Sequence, residues 1–410
     1  MKNISKITLV FAFLAGAIFI LSYCKQDDQV LGLDQETGTE LVSLKVTTAP
    51  AIDGTIDPIW ESAAKLTTVP QVPNPGNGMF AGYIGDTYNV TLRSLYDSEN
   101  IYFLAEWDDP TESLVDRPWY FNPTTKAWAR EANSPVFDAN SIKVRDAFNE
   151  DKFGVLWNIS TYDFPSKTCY ASCHMNTPTI DPATGKTIPA TSGNHYTNNV
   201  SERIDQWHLH IMKDMLVYSQ GSDEYQDWNN GMINGNGRHP DSQVSTSDGV
   251  VTNTQTLTIT GKTTTIAVPK WVIPDATNLL YILKDQTATG GVAKLVTAVD
   301  SNGVLTYDGG MIDPNIGTDY QQVGAGDGPK AIPSSIIAPM TGNRSDITAK
   351  AVHNGRGWTL EIKRALKTTD TVNQDVDFST LEDQPFGIAV FNQANNQHAI
   401  KPNLLLKFQK

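Results

Sequence analysis

Short apolar and β-branched runs recur along the chain with turn-forming residues between them. Residues 88–92 (YNVTL), 101–105 (IYFLA), 153–157 (FGVLW), 358–362 (WTLEI) and 386–391 (FGIAVF) are the clearest. Several alternate, and others are β-branched or aromatic throughout, which is the composition of strands. Asp97-Ser98-Glu99-Asn100 is a turn signal between two of them. Many short strands with regular turns predict a mostly β chain, folded as an antiparallel β-sandwich of immunoglobulin-like or carbohydrate-module-like type. No sustained 3.6-residue apolar pattern appears. Residues 203–217 (RIDQWHLHIMKDMLV) form the best helix candidate. Residues 176–200, 240–264 and 308–345 are rich in Thr, Ser, Asn, Asp, Gly and Pro and predict long loops, with a hairpin arm at 256–260. Loops of that length are usually functional or disordered. The sandwich is therefore expected over 44–410, with insertions around 165–265 and 308–345.

The opening residues change the picture from fold to compartment. Lys2 and Lys6 precede an apolar run over residues 7–21, the layout of a secretory signal. The run is short for a membrane span of ~20 residues. Leu21-Ser22-Tyr23-Cys24 resembles a bacterial lipoprotein signal, in which Cys24 becomes the acylated first residue. Lys25-Gln26-Asp27-Asp28 resembles the acidic tag of surface lipoproteins of the Bacteroidetes. The expected division is a signal peptide at 1–23, a tether at 24–43 and the fold beyond. The expected location is the cell envelope, lipid-anchored to the outer membrane and either periplasmic or surface-exposed. A formal net charge of -14 opposes binding to nucleic acid, whose phosphates would repel this surface. It permits steering toward basic partners.

Three cysteines are present, Cys24, Cys169 and Cys173. With Cys24 assigned to the anchor, one pair remains at i, i+4. A chain this long needs no disulfide to fold, so the pair reads as chemical rather than structural. Cys169-Tyr170-Ala171-Ser172-Cys173-His174 resembles the C-x-x-C-H attachment of a c-type haem with one extra residue between the thiols. Two other readings stay open: a Cys169–Cys173 disulfide, and a zinc site built from both cysteines and two histidines. A covalent haem leaves a second axial position. Trp207-His208-Leu209-His210 offers two imidazoles, with Met212 and Met215 close behind, and a thioether also binds haem iron. His208 and His210 are expected to point apart, so that one of them reaches a given iron. Met175, His195, His239 and His398 are further alternatives.

The flanking segments, taken in order, resemble the ethylbenzene dehydrogenase-related haem-binding domain, also called the cytochrome c-552/DMSO reductase-like haem-binding domain. They are residues 52–60 (IDGTIDPIW), 96–111 (YDSENIYFLAEWDDPT), 150–157, 205–208 (DQWH), 237–241 (GRHPD), 357–364 (GWTLEIKR), 375–378, 387–391 and 398–400. The resemblance spans roughly 45 to 410 and implies a β-sandwich holding haem in a side pocket. The best-known members are cytochrome b subunits of periplasmic molybdenum enzymes, with Met and Lys on iron. Here Lys401 is the candidate for that Lys. The cysteine–histidine motif departs from those subunits and favours a c-type haem over a b-type one. His174 is then the proximal ligand and His208 the distal ligand. The expected role is electron transfer rather than catalysis. The expected partners are redox proteins, either other cytochromes or a periplasmic oxidoreductase. The alternative is a surface carbohydrate-binding lipoprotein with a Cys169–Cys173 disulfide, in which Trp119, Trp128 and Trp228 stack on sugar rings. No G-x-S-x-G, H-E-x-x-H or P-loop supports a hydrolase.

Overall fold

A computed structural model describes residues 38–74, 80–140, 142–145, 147–172, 195–228, 237–321 and 330–410, and the backbone at 179–180 and 187–188. The expected signal peptide, Cys24, Cys173, His174 and Met175 lie outside the described residues.

Ten strands carry the architecture. They are β1 (Glu40–Lys45), β2 (Val90–Tyr96), β3 (Asn100–Asp108), β4 (Lys152–Asn158), β5 (Arg203–His210), β6 (Gln220–Asp227), β7 (Ile347–His353), β8 (Gly357–Ala365), β9 (Gln384–Phe391) and β10 (Ala399–Phe408). Their order around the sheet is β1-β10-β9-β4-β5-β6-β7-β8-β3-β2. The turn expected between β2 and β3 forms because Asp97 Oδ1 accepts the Glu99 and Asn100 amides, each at 2.8 Å.

The mostly β expectation holds, with one difference in closure. β1 pairs in parallel with β10, from Glu40↔Leu405 to Ser43↔Phe408, and also with β2, from Ser43↔Ser94 to Lys45↔Tyr96. Two sheets facing each other therefore become one hydrogen-bonded sheet closed on itself. Alternation marks which residues face inward, and it does so identically for a sandwich and a barrel. The tether expected to run through residue 43 gives way at Glu40 to this closing strand.

Alternate residues of the ten strands fill the interior. Trp107, Phe153, Trp157, Trp207, Trp358, Phe378 and Phe386 are all buried there. Trp157 stacks on Phe386 at 4.9 Å between ring centroids and meets Trp207 at 5.3 Å. Aromatic pairs at such spacings add to the gain from burial alone. A second apolar cluster lies apart from this one, around Trp119, Phe121, Trp128, Val268, Val299 and Leu305. Short strands build it, including Trp119–Asn122 against Ala127–Arg130 and Lys294–Val299 against Leu305–Tyr307. Part of the polar stretch at 308–345 is thus ordered as strand. The hairpin arm near 256–260 is observed as Gln255–Thr258 paired with Thr265–Val268.

The Asp-Gly…Trp opening segment has a structural cause. Glu361 of β8 is buried, and its Oε2 accepts the Asp53 amide at 3.1 Å and the Gly54 amide at 2.8 Å. Its Oε1 accepts Trp60 Nε1 at 3.0 Å. Gly54 has φ +86°, and a Cβ there would meet Val352 Cγ2 at 2.3 Å. One carboxylate thus satisfies three donors of a segment that has no ladder of its own. Glu361→Ala should leave those donors unpaired and cost about 2–4 kcal/mol of unfolding free energy, measured by urea titration.

Candidate functional site

The site begins with the alternation along β5. Trp207 and Leu209 enter the barrel core, so Gln206, His208 and His210 face outward. Cross-strand register then sets what lies beside them. His208 pairs with Gly154 on β4, and Gly154 pairs with Ala389 on β9. One row further on, Gln206, Leu156 and Gly387 align across the same three strands. Two glycines and an alanine thus replace larger side chains on the outer face, and a cleft forms over them. It spans about 610 Å³ of non-atom space, open solvent at its mouth included.

Each wall of the cleft comes from a different segment. Cys169 enters from a 3-10 turn, Thr168–Ala171. That turn is fastened to the strand edge, because Thr168 Oγ1 accepts the Asn403 amide at 3.1 Å. Cys169 packs with Leu156, Phe164, Ile204 and Ile400. A Cβ on Gly387 would lie 3.0 Å from Cys169 Sγ, so the missing side chain is what admits the thiol. His195 arrives over Gly237, where a Cβ would meet Tyr196 Cβ at 2.5 Å and the His195 carbonyl at 2.9 Å. His398 lines the opposite side and stacks on Phe391 at 4.4 Å. Phe391 lies 5.8 Å from the His208 ring.

His208 carries the site's sharpest chemistry. Its Nε2 is buried and has no hydrogen-bond partner. Its Nδ1 faces Glu224 Oε1 at 3.8 Å, and Arg238, also in the cleft, approaches the other oxygen of that carboxylate at 3.4 Å. Burial, then the neighbouring His210 ring, pushes His208 down to about 3. The imidazole is therefore neutral and presents a lone pair, the form that binds metal. Burial also lowers His195, to about 4.

The ethylbenzene dehydrogenase family model matches residues 57–401. This chain belongs to the ethylbenzene dehydrogenase family. Curated proteins gave no match. The solved structures that align with it include two of a carbohydrate binding module family 9 from Caldicellulosiruptor kristjanssonii. The one in complex with cellotriose has 10% identity and TM-score 0.26, covering 90% of this chain and 93% of that one. The one in complex with glucose has 9% identity and TM-score 0.26, covering 90% and 95%.

In this member of the ethylbenzene dehydrogenase family, several expected site residues converge. Cys169, His195, His208 and His398 all line the cleft. Cys173, His174 and Met175, which complete the motif, lie outside the described residues. The helix expected over 203–217 is instead the strand Arg203–His210, followed by a π-helical turn, Ile211–Met215. The expectation that His208 and His210 diverge is likewise corrected. Residues i and i+2 of a strand share a face, and the two rings lie 4.1 Å apart. His210 Nδ1 is 3.2 Å from Asp214 Oδ2. Met212 and Met215 are buried, Met215 in the barrel core. His239 Nε2 contacts Asp227 Oδ1 at 3.1 Å, and neither it nor Lys401 lines the cleft.

Gly154, Gly387, Glu224 and Arg238 were not among the expected site residues. The two glycines carried a signal, since a glycine inside a strand marks close approach of a ligand or another chain segment. Glu224 and Arg238 carried none, because the β5–β6 pairing brings the first to His208 and the pairing of Arg238–Pro240 with β6 brings the second. Two of the three tryptophans proposed to stack on sugars are placed otherwise. Trp119 and Trp128 are buried in the second core, and their Nε1 atoms donate to the Asn253 and Gly303 carbonyls, each at 2.8 Å. Trp228 is half-buried. Trp128→Ala should behave as a core truncation, costing about 3–5 kcal/mol in urea unfolding, with no change in mobility on glycan-containing affinity gels.

Proposed function

We propose that the cleft holds one haem and that the protein is an exported electron carrier, not an enzyme. The observation that carries this reading is His208: a buried, neutral imidazole whose Nε2 has no partner, in a cleft with Cys169 and two further histidines. The glycine-floored cradle fits a flat ligand, because a side chain at Gly154 or Gly387 would occupy its space. When bound, haem supplies a one-electron Fe(III)/Fe(II) couple.

The residues divide the work. His208 would hold the iron through Nε2, with Glu224 behind its Nδ1 to favour the tautomer that leaves Nε2 free. In the c-type arrangement His174 would be the second nitrogen donor to the iron. Cys169, with Cys173, gives the thioether links. Leu156, Ala389, Phe391 and Ile400 keep water from the ring. Arg238 offers a cation for a propionate. Lipidation at Cys24 would hold the protein to the membrane within reach of its redox partners, other cytochromes or a periplasmic oxidoreductase.

The chain is to be expressed where c-type cytochromes mature. A haem-stained band should persist on a denaturing gel, with the alkaline pyridine spectrum of a c-type haem. Replacing both cysteines by alanine should abolish covalent attachment. His208→Ala should keep attachment and open a site for carbon monoxide. Gly154→Leu should cut haem content several-fold with an unchanged far-ultraviolet circular dichroism spectrum. A colourless wild-type chain, made beside a correctly loaded control cytochrome, would falsify the proposal.

A further inference from the structure

The inner face of the same strands carries a second cluster, unrelated to the cleft. Asp205 of β5, Asp223 of β6 and Arg364 of β8 are each fully buried inside the barrel. Asp375, from the segment after β8, closes over them. Asp241 lies alongside and donates its amide to the Asp223 carbonyl at 3.1 Å. Arg364 stands among these four carboxyl groups, and Asp346 acts on it as well. Arg364 reaches Asp205 Oδ2 at 3.2 Å, Asp375 Oδ1 at 3.3 Å and Asp223 Oδ2 at 4.0 Å.

Hydrogen bonding leaves most of these oxygens unserved. Asp205 Oδ2 also accepts the Val376 amide at 3.0 Å, and Asp375 Oδ2 accepts Thr368 Oγ1 at 2.6 Å. Asp205 Oδ1, both oxygens of Asp223 and both oxygens of Asp241 are buried and accept nothing. Asp223 and Asp241 are 0% and 1% exposed. Buried charge without partners is strongly unfavourable.

We infer that Asp205, Asp223 and Asp375 ligate one calcium ion inside the barrel, with Asp241 beside it. One oxygen from each of the three lies within 4.8 Å of the others. Oxygens bound to one Ca²⁺ at about 2.4 Å can be at most about that far apart. A divalent ion also cancels two of the charges that Arg364 leaves over. Protonation is the competing solution: burial, opposed by Arg364, raises Asp205 to about 7, and burial with the neighbouring carboxylates raises Asp241 to about 9. Protons would lower the charge, and one shared between Asp205 and Asp223 would serve that pair, yet the oxygens of Asp241 would still lack donors. Calcium serves several oxygens at once. Mg²⁺ suits the cluster less, since it keeps several waters in a strict octahedron. A solvent-facing hollow lined by Asp370, Asn373 and Asp375 reaches the cluster's rim at Asp375.

The test uses the full chain, stripped with chelator and titrated with CaCl₂ at neutral pH by calorimetry and thermal unfolding. One Ca²⁺ should bind per chain, and about 1 mM Ca²⁺ should raise the unfolding midpoint by about 4 °C, with a smaller rise for Mg²⁺. Asp223→Asn should lose the calcium response, yet in chelator unfold no lower than wild type, because it deletes an uncompensated buried charge. Should that variant not fold, the wild-type titration decides alone. Absence of calcium binding by the wild type, or an equal effect of Mg²⁺, overturns the assignment. So does an undiminished calcium response in a folded Asp223→Asn chain.

Discussion

Closure of the sheet through β1 is the constraint on which the rest depends. Its parallel pairings to β2 and β10 join the two ends of an otherwise antiparallel ladder. An open sheet of this width would leave two exposed edges, each a template for association. Closure removes both edges and divides every strand into a dry face and a wet face. Indoles and buried charged side chains occupy the first, and the cleft is cut into the second. β5 shows the division in consecutive residues: Asp205, Trp207 and Leu209 face in, Gln206, His208 and His210 face out. A register slip of one residue would exchange the two sets. The site and the core therefore share one specification.

Much of this was legible in the sequence. The strands were visible as alternating runs, and the Asx turn at Asp97 was visible between two of them. The resemblance to the haem-binding family agreed with the family match over 57–401. Cys169 and three of the histidines singled out in the sequence meet in one cleft. The failures are equally specific. Residues 203–217 mix a strand with a π-helical turn, so neither a period of two nor one of 3.6 runs through the whole segment. Restricting the reading to 203–210 would have exposed the alternation and placed His208 and His210 on one face. The tryptophans of the second core could not be assigned from sequence. Their partners, such as Val268, Val299 and Leu305, lie more than a hundred residues further along.

The cleft and the acidic cluster differ in why sequence reveals one and hides the other. Interior glycines on strands are rare enough to be noticed, and Gly154 and Gly387 sit inside otherwise unbroken apolar runs. The carboxylates look ordinary. Asp223, Asp241 and Asp375 stand among polar neighbours, as surface acids do, and only Arg364 within an apolar strand hints at burial. Four separate segments bring them together, so their shared environment is a property of topology alone.

Burial acts on the two faces with opposite consequences. A buried imidazole avoids charge by staying neutral, which leaves a lone pair on His208 Nε2 at no electrostatic cost. A buried carboxylate can shed its charge only by taking a proton or sharing a cation. Arg364 supplies one positive charge to several such groups. The outward face therefore presents nitrogen and sulfur donors, and the inward face presents oxygen donors. Imidazole nitrogen suits a transition metal such as iron, whereas carboxylate oxygen suits a hard ion such as calcium. If both assignments hold, two sites within one closed sheet would discriminate between metals without either being shaped against the other's ion, because the alternation that separates the faces also sorts their donors.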